Sequence, residues 1–311
     1  MAKAEFSIAS LDPVGAEISD LNTAQVDEQT AKDIYGAWLD YGILLFRNVR
    51  SSAQHLALSQ CFGELEVHPL PELREKDNPY LFPLGSEAEK IAFVFDESDI
   101  RVSRIPWHRD TAYLPNMCKG AMLRMLEVPP EGGETLLADT AAAYDALPKE
   151  VQTRLEHLEF RSVIKLGVFD HSGVGTWWKT ARFAKDEEYP AGVIRAKEPK
   201  LPDTSKFPPV IYPAVIEHPE SGRKCLFLSP MNIECFIGMQ AAESGDLIKY
   251  LVDHMTGERF VYCHRWAVDD AVIWDNRRFL HAAAGSKPQY RRRGQRTTLA
   301  EKMSIGRYVD A

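Results

Sequence analysis

Two metal-binding residue types stand two positions apart in the stretch IPWHRDTAYLP, residues 105–115. If this stretch is a strand, His108 and Asp110 project from one face while Arg109 projects from the other. An imidazole and a carboxylate on one face can bind a divalent metal ion, although a bare H-x-D pattern also arises by chance. The spacing therefore indicates a metal site only if a further ligand joins it.

A third ligand is available downstream, in the stretch VIWDNRRFLH. His281 follows an apolar strand pattern and a polar turn there. Two imidazoles and one carboxylate on one side of an ion form the facial triad of non-haem Fe(II) oxygenases, which leaves coordination positions open for a co-substrate and oxygen. Other histidines are weaker candidates: His55, His157 and His254 lie on predicted helices, where we expect surface or rim positions.

A basic run, YRRRGQRTTL (residues 290–299), follows His281 after a hairpin-length loop. As a strand, it places Arg292, Gly294 and Arg296 on one face. Two guanidiniums with a glycine between them leave room for a planar carboxylate, which arginine binds in bidentate fashion. Iron beside a carboxylate-binding arginine is what a 2-oxoglutarate site requires. The alternatives for this run are a nucleic-acid patch and a solvated sheet edge.

Hydrophobic periodicity indicates the elements that must position these groups. The pattern predicts a helix in DEQTAKDIYGAWLDYG that ends at Gly42, and a second helix in SSAQHLALSQCFG that begins at a serine cap and ends at Gly63. It also predicts a helix in DTAAAYDALPKEVQTRLEHLEF with a break near Pro148, and another in QAAESGDLIKYLVDHMT. Strands are predicted for ILLFRNV, AMLRMLEV, ETLLAD, VIYPAVIEH, KCLFLS, FVYCHRWAV, AVIWDN and QRTTLAEKM. Short strands toward both ends, without regular alternation with helices, predict an α+β fold around a mainly antiparallel sheet or barrel.

Residues 164–213 differ from the rest of the chain, because glycine, proline and lysine are frequent there and hydrophobic periodicity is weak. A stretch this long without regular structure is typical of a lid or a binding loop, otherwise of disorder. It contains one isolated aromatic group, TWWKTARF. Trp177 and Trp178 either line a substrate pocket or pin the segment to the core.

Composition narrows the class of protein further. The chain has 311 residues, a net charge of −8, and 45% hydrophobic and 26% charged residues, which is ordinary for a globular protein and argues against a general nucleic-acid surface. We see no apolar run long enough to span a bilayer and no secretory signal. The five cysteines are odd in number and form no C-x-x-C pair, so we expect buried free thiols and a cytoplasmic protein.

Taken together, the sequence resembles the taurine dioxygenase / 2,4-dichlorophenoxyacetate dioxygenase family of Fe(II)/2-oxoglutarate-dependent enzymes. The resemblance covers nearly the whole chain, from GAEISDLN to RTTLAEK. It is carried by FGELEVHP, WHRD, VPPEGGETLLAD with AAYDAL, HPESGRKCLFLS, WDNRRFLH and YRRRGQR, in this order. No single one of these motifs would be specific.

The resemblance implies the fold and the role of each site residue. The fold would be one domain, 1–311, with a double-stranded β-helix (jelly-roll) core, flanking helices and a lid-like insertion, here 164–213. His108, Asp110 and His281 would be the iron ligands. Thr135 and Arg292 would bind the distal carboxylate of 2-oxoglutarate. Arg296 would bind either the co-substrate or the anionic group of the substrate, and His68 would bind the anionic group of the substrate.

The resemblance also implies the reaction, in which O₂ and 2-oxoglutarate hydroxylate an aliphatic C–H bond of a small anionic substrate, with release of succinate and CO₂. Desaturation, epoxidation, cyclisation or C–heteroatom cleavage in a natural-product pathway are alternative outcomes. A non-catalytic 2-oxoglutarate-binding protein is a further alternative. Family members are often oligomers, so we expect a dimer or a larger assembly that binds neither nucleic acid nor membrane.

The chain departs from the family pattern at three places. Arg109 stands between the first two ligands, where a small hydroxyl residue is common, and Pro71 stands where taurine enzymes have a tyrosine. The TWWKTARF group has no clear counterpart. Lys179 and Arg109 could add positive charge to the substrate pocket or lie at the surface. The intact Asp110 argues against the related halogenases.

Overall fold

The computed structural model describes residues 6–23, 25–67, 74–85, 89–90, 92–95, 98–164, 182–196 and 204–309. Within these ranges the α-helices are α1 (Glu28–Tyr41), α2 (Ser52–Gln60), α3 (Thr140–Asp145), α4 (Lys149–Leu155) and α5 (Ala241–Met255). Short 3₁₀ helices cover Asp186–Glu188, Thr204–Lys206 and Glu258–Phe260.

Local signals define where the first helices begin and end. The Asp27 side chain accepts a hydrogen bond from the Thr30 amide at 2.7 Å, and Gly42 adopts a left-handed conformation (φ 73°) after the last turn of α1. Ser51 and Gln54 form a capping box at the start of α2. The predicted end of α2 at Gly63 is wrong, because the helix stops at Gln60.

The third predicted helix is two helices, and its predicted end is a strand. The break near Pro148 is confirmed, since Pro148 occupies the N-cap position of α4, where its missing N–H costs nothing. The predicted helical end HLEF is wrong, because Glu159–Ser162 pairs with two neighbouring strands. Tertiary pairing outweighs local propensity there.

The strands follow in chain order. They are β1 (Ser7–Ser10), β2 (Ala16–Ser19), β3 (Ile43–Phe46), β4 (Leu65–Glu66), β5 (Phe82–Leu84), β6 (Glu89–Lys90), β7 (Ala92–Phe95), β8 (Asp99–Val102), β9 (Ile105–His108), β10 (Gly120–Glu127), β11 (Thr135–Asp139), β12 (Glu159–Ser162), β13 (Arg182–Phe183), β14 (Ile194–Arg195), β15 (Val210–Pro213), β16 (Val215–Glu217), β17 (Lys224–Leu226), β18 (Ile233–Phe236), β19 (Val261–His264), β20 (Ala271–Asp275), β21 (Phe279–Ala283), β22 (Arg293–Leu299) and β23 (Arg307–Tyr308).

Most of these strands belong to antiparallel sheets. The largest has eight strands in the order β1-β2-β3-β20-β10-β22-β4, with β5 also paired to β22, and only its β2–β3 pair is parallel. A four-stranded sheet has the order β19-β11-β21-β9, and another has the order β18-β12-β15-β23. Smaller sheets are β13-β7-β8, β14-β6 and β16-β17. The prediction of a mixed fold with mainly antiparallel sheets is confirmed.

Side-chain alternation along β3 shows how the layers pack. Leu44 and Phe46 contact the cluster that contains Trp38 of α1 and Leu58 of α2, so the two helices cover one face of the large sheet. Ile43 and Leu45 project from the other face into a cluster with residues of β11 and β21. The sheet β19-β11-β21-β9 therefore packs on that second face, and side chains between the two sheets are shielded from water.

The described parts of 164–213 form β13, β14 and 3₁₀ turns, and the range ends in β15. β13 pairs with β7, and β8 leads directly into β9, so part of this segment lies near the start of the strand that carries His108. No helix in the described ranges is long and apolar enough to cross a membrane.

All five cysteines are free, as predicted. The expectation that they are buried holds for Cys118 and Cys225 but is wrong for Cys263, which is exposed at the outer strand β19.

Candidate metal centre

The pairing of β9 with β21 brings the two candidate histidine ligands together. His108 is directly opposite His281 in this antiparallel pair, and the ring centroids lie 4.1 Å apart. Asp110 follows in the turn after β9, so the expectation that it lies on the strand is wrong. Its carboxylate nevertheless reaches both rings, at 3.7 Å from Nε2 of His108 and 3.4 Å from Nε2 of His281.

These three side chains form one buried group whose ligand atoms all lie within 4.8 Å of one another. The carbonyl oxygen of Pro106 lies 2.7 Å from Nδ1 of His108 and accepts the proton of that nitrogen, which leaves Nε2 as the free donor atom. Two imidazole nitrogens and one carboxylate are a suitable donor set for a divalent ion. The predicted triad of His108, Asp110 and His281 is thus assembled by the fold.

Burial and charge keep His108 and Asp110 in the form that binds a metal. Burial, together with the charge of His281, lowers the pKa of His108 to about 3, so the imidazole is neutral near pH 7. Burial alone would raise the pKa of the Asp110 carboxyl, but the Arg296 guanidinium and the two histidines outweigh it and hold that pKa well below its usual range. Metal binding needs this ionised carboxylate and neutral imidazole.

Arg296 lies closer to the metal centre than the sequence indicates. Its Nη1 and Nη2 donate to Oδ1 and Oδ2 of Asp110 at 3.0 and 2.6 Å, a bidentate pair. The predicted role, contact with the co-substrate or the substrate anion, remains a prediction. Because Arg296 lines both cavities that adjoin the triad, it is within reach of either molecule.

The first cavity has a volume of about 190 Å³ and lies between the two sheets. Both histidines of the triad line it, and so do Thr135 on β11 and Arg292 just before β22. Arg292 is buried and forms no ion pair with a carboxylate of the described chain, while its Nε donates to the Gly133 carbonyl at 3.2 Å. Burial lowers the pKa of Arg292 to about 10, so the side chain remains a cation that an anionic ligand would neutralise.

Gly133 permits this approach of Arg292. It has φ +78°, and a Cβ there would lie 3.2 Å from Cδ and Nε of Arg292 and 2.9 Å from Pro129. The missing Cβ of Gly133 therefore leaves room for the Arg292 side chain beside the cavity.

A second cavity, of about 240 Å³, is lined by Asp110. It shares His108 and Arg296 with the first cavity. Its remaining lining includes Tyr113, Met231 and Asn232, with Glu66 on the exposed side. The metal centre thus stands between two separate spaces for small molecules.

The structure also shows residues that sequence reasoning missed. Asn276 accepts from the Asp110 amide at 2.9 Å and donates to the Asp110 carbonyl at 3.0 Å, which clamps the backbone of this ligand. The Trp266 indole N–H donates to the Thr135 hydroxyl at 3.1 Å. The polar turn of WDNRRFLH was a signal for Asn276, but no sequence pattern links Trp266 to Thr135.

Two residues that were expected at the surface, Arg109 and His55, lie in the interior. Arg109 is not a surface residue, because it is 1% exposed and its guanidinium donates to backbone carbonyls in the core. His55 on α2 is completely buried, so the expected surface position is wrong. His68, Trp177, Trp178 and Lys179 lie outside the described residues.

The arginines of the run 290–299 have different environments. Arg292 and Arg296 both line the first cavity, although the strand begins at Arg293, so Arg292 lies just before the strand rather than on it. Arg291 and Arg293 both lie near Glu127, with Nε to carboxylate distances of 3.1 and 3.4 Å. This distribution provides no continuous free basic surface within the run.

Comparisons with known proteins define the class. A family model described as taurine catabolism dioxygenase TauD, TfdA family, matches residues 7–298. An (S)-phenoxypropionate/alpha-ketoglutarate-dioxygenase of Sphingobium herbicidovorans is 32% identical over 289 residues, 89% of each chain. An alkylsulfatase of Acinetobacter baylyi is 28% identical over 94% of this chain and 84% of its own. The crystal structure of AAD-2 in complex with Mn(II) and N-oxalylglycine superposes with a TM-score of 0.71 at 25% identity, covering 96% of this chain and 99% of that one.

The fold, the buried triad and these similarities define an alpha-ketoglutarate-dependent dioxygenase, an oxidoreductase. The chain belongs to the TauD/TfdA family. Its co-substrate is alpha-ketoglutarate (2-oxoglutarate), and its metal site is the group His108, Asp110 and His281.

Proposed function

We propose that the protein is an Fe(II)- and 2-oxoglutarate-dependent dioxygenase that hydroxylates an aliphatic C–H bond of a small anionic organic substrate. The reaction consumes O₂ and releases succinate and CO₂. The observation that carries this proposal is that two cavities, of about 190 and 240 Å³, meet at one buried metal-ligand group. One space suits the co-substrate and the other suits the molecule to be oxidised.

In this proposal the first cavity binds 2-oxoglutarate. Arg292 pairs with its distal carboxylate, and Thr135 donates a hydrogen bond to the same group. Arg292 is buried and has no carboxylate partner among the described residues, which supports this role, since a buried charge is stable only when it is paired or hydrogen-bonded. The iron, when bound, supplies the oxidation chemistry, while the side chains of this chain bind the two organic molecules, orient them and exclude water.

The second cavity binds the primary substrate. Arg296 is the proposed partner of its anionic group, with His68, Trp177 and Trp178 as further substrate-binding residues. Glu66 on the exposed side disfavours an anion at the outer end, so the charged group would lie inside, near Arg296. Relatives named for a phenoxypropionate and for alkyl sulfates support an anionic substrate.

The architecture and assembly of the protein are also part of the proposal. We infer one domain, 1–311, whose large sheet and site-bearing sheet are the two sheets of a double-stranded β-helix. Residues 164–213 would act as a lid over the substrate cavity. The five free thiols support a cytoplasmic location, and the family relationship supports a dimer or a larger assembly.

Anaerobic addition of Fe(II) and 2-oxoglutarate to the metal-free protein tests the proposal. We expect a weak charge-transfer band in the visible spectrum, lost in His108→Ala and Asp110→Ala. Arg292→Ala should raise the 2-oxoglutarate concentration needed for half-saturation at least tenfold, because a buried charge-assisted pair is lost. The neighbouring Arg291→Ala, whose side chain is 60% exposed, is the matched control and should behave as wild type.

Candidate organic acids are then screened with O₂ by the mass of the product. Gain of one oxygen atom indicates hydroxylation, and loss of two hydrogens indicates desaturation. A wild-type protein that shows no band would overturn the assignment of the site, and a band with an unaltered response in Arg292→Ala would overturn the assigned co-substrate orientation.

A further inference from the structure

The hydroxyl of Thr135 has an unusual partner. Nε1 of Trp266 lies 3.1 Å from Oγ1 of Thr135 and donates its hydrogen to it, and both residues are buried. Trp266 does not line the 190 Å³ cavity, whereas Thr135 does. The indole therefore does not line the cavity itself, and its hydrogen bond to Thr135 connects it to a residue that does.

The hydrogen-bond capacity of a hydroxyl determines what this contact does. A hydroxyl has one hydrogen and two lone pairs, whereas an indole N–H is only a donor. The Trp266 N–H occupies a lone pair, so the single hydrogen of Thr135 must point elsewhere. Among the described residues, Thr135 Oγ1 has no acceptor for that hydrogen, and the cavity that it shares with Arg292 is the space available.

Neighbouring residues hold the indole in place. The imidazole of His264, which is paired with Thr135 across β11 and β19, meets Trp266 edge to face at 4.4 Å and 89°. The next amide, that of Ala267, donates to the Asp270 carboxylate at 2.8 Å. Arg47 donates to the same oxygen at 2.8 Å, so Asp270 fixes this loop to the large sheet.

We propose that Trp266 is a positioning residue that fixes the Thr135 hydroxyl as a hydrogen-bond donor to the distal carboxylate of 2-oxoglutarate. This inference rests on the proposed function, in which that carboxylate lies between Thr135 and Arg292. Without the indole, the hydroxyl can rotate and lose part of its donation to the ligand. Trp266 thereby selects an acceptor, a carboxylate, in the part of the cavity that Thr135 and Arg292 line.

Binding measurements with two ligands test this role. The dissociation constants of 2-oxoglutarate and of 2-oxopentanoate, which has a methyl group in place of the distal carboxylate, are measured anaerobically on the Fe(II)-loaded protein. Trp266→Phe should weaken 2-oxoglutarate binding about five- to tenfold, the effect of one hydrogen bond, and leave 2-oxopentanoate binding unchanged. Trp38→Phe is the matched control, because the Trp38 indole N–H has no hydrogen-bond partner among the described residues and lies in the helix-covered core.

A double-mutant comparison shows whether the effect passes through the threonine. In a Thr135→Val background, Trp266→Phe should cause no further loss of 2-oxoglutarate affinity. An equal loss in both backgrounds, or an equal loss for both ligands, would overturn the inference and leave Trp266 as a packing residue.

A spectroscopic measurement on the wild type covers the case in which Trp266→Phe does not fold. With ¹⁵N-labelled tryptophan, the Trp266 indole resonance should shift on addition of 2-oxoglutarate and on the Thr135→Val substitution. A resonance that moves in neither case contradicts the inference. If the wild type binds no 2-oxoglutarate, or if Arg292→Ala does not weaken 2-oxoglutarate binding, the proposed function itself is wrong. If the wild type and Arg292→Ala both behave as expected and Trp266→Phe does not, only the role of Trp266 is wrong.

Discussion

Arg109 is a buried cation whose hydrogen-bond partners are all uncharged. Nη1 donates to the carbonyls of Asn276 and Phe279 at 2.7 and 3.2 Å, and Nη2 donates to the Leu226 carbonyl and the Thr140 hydroxyl at 2.6 and 2.8 Å. Burial lowers the pKa of this guanidinium to about 10, so it remains charged near pH 7. Backbone dipoles thus replace the water that the charge has lost.

This arrangement predicts a large loss of stability when the guanidinium is removed. Arg109→Met keeps much of the side-chain volume but leaves three buried carbonyls without a donor, each of which costs about 1–3 kcal/mol. We expect the free energy of unfolding of the metal-free protein to fall by at least about 3 kcal/mol. Urea denaturation followed by fluorescence measures this change.

The control is Arg154→Met, which removes an arginine that is 47% exposed and paired with Glu243 on the surface. Such a pair contributes about 1 kcal/mol at most. If Arg109→Met were no less stable than Arg154→Met, the carbonyl contacts of Arg109 would have no structural importance.

At the scale of elements, the turn between β20 and β21 connects the metal ligands to the rest of the fold. Asp275 is buried and pairs with Arg277 at 2.6 Å and with His218 at 2.9 Å. Arg278 pairs with Asp139 at the end of β11. Asn276, between these ion pairs, is held rigidly while it binds the backbone of Asp110. The turn therefore positions a ligand that the neighbouring strand does not carry.

Removing the Asn276 amide should loosen the metal centre. In Asn276→Ala, the Asp110 amide and carbonyl lose the partners at 2.9 and 3.0 Å, so the carboxylate is less well oriented. Groups that orient a metal ligand typically change metal affinity by about 10- to 100-fold, and we expect a loss in this range for Mn(II) measured by calorimetry. The control, Asn78→Ala, removes an amide whose oxygen accepts, within the described part of the chain, from the nearby Tyr80 backbone N–H. Wild-type affinity in Asn276→Ala would contradict the role of the turn.

These elements also show what the sequence could predict. Local signals were sufficient for α1, whose cap at Asp27 and end at Gly42 depend on neighbours in the chain. Periodicity placed Arg292 and Arg296 on one strand face, and both line the same cavity. It could not predict that β9 ends at His108, because the end of the strand depends on its pairing with β21.

Contacts between distant segments were not predictable from periodicity. His55 was expected at a surface or rim position of its predicted helix, but α2 packs against β10. Arg109 was expected to face away from the metal, which is correct, but that side proved to be the core rather than solvent. In both cases the environment is set by an element far away in sequence.

For the whole molecule, buried neutral histidine makes the stability depend on pH. His55 is fully buried on α2. Its Nε2 lies 3.3 Å from the Met122 carbonyl of β10, which accepts the hydrogen of that nitrogen. The charge of Arg124 also affects the pKa of His55. Burial, reinforced by Arg124, lowers the pKa of His55 from 6.5 to about 4. The unfolded chain therefore binds a proton at His55 between about pH 6.5 and pH 4, whereas the folded protein does not.

The sign of the pH effect follows from this difference in proton binding. Because the unfolded state binds more protons in this range, the free energy of unfolding rises with pH, and the stability due to neutral His55 is lost as the pH falls below about 6.5. The full effect between the two pKa values is about 3 kcal/mol, or about 1.4 kcal/mol per pH unit.

We expect His55→Gln, which cannot be protonated, to have a shallower pH profile by this amount, whatever its stability at pH 7. Urea denaturation from pH 4.5 to 7.5 measures both profiles, and His157→Gln, at an exposed position, should retain the wild-type slope. Parallel profiles for wild type and His55→Gln would show that His55 does not contribute, and that the packing of α2 on the large sheet tolerates its protonation.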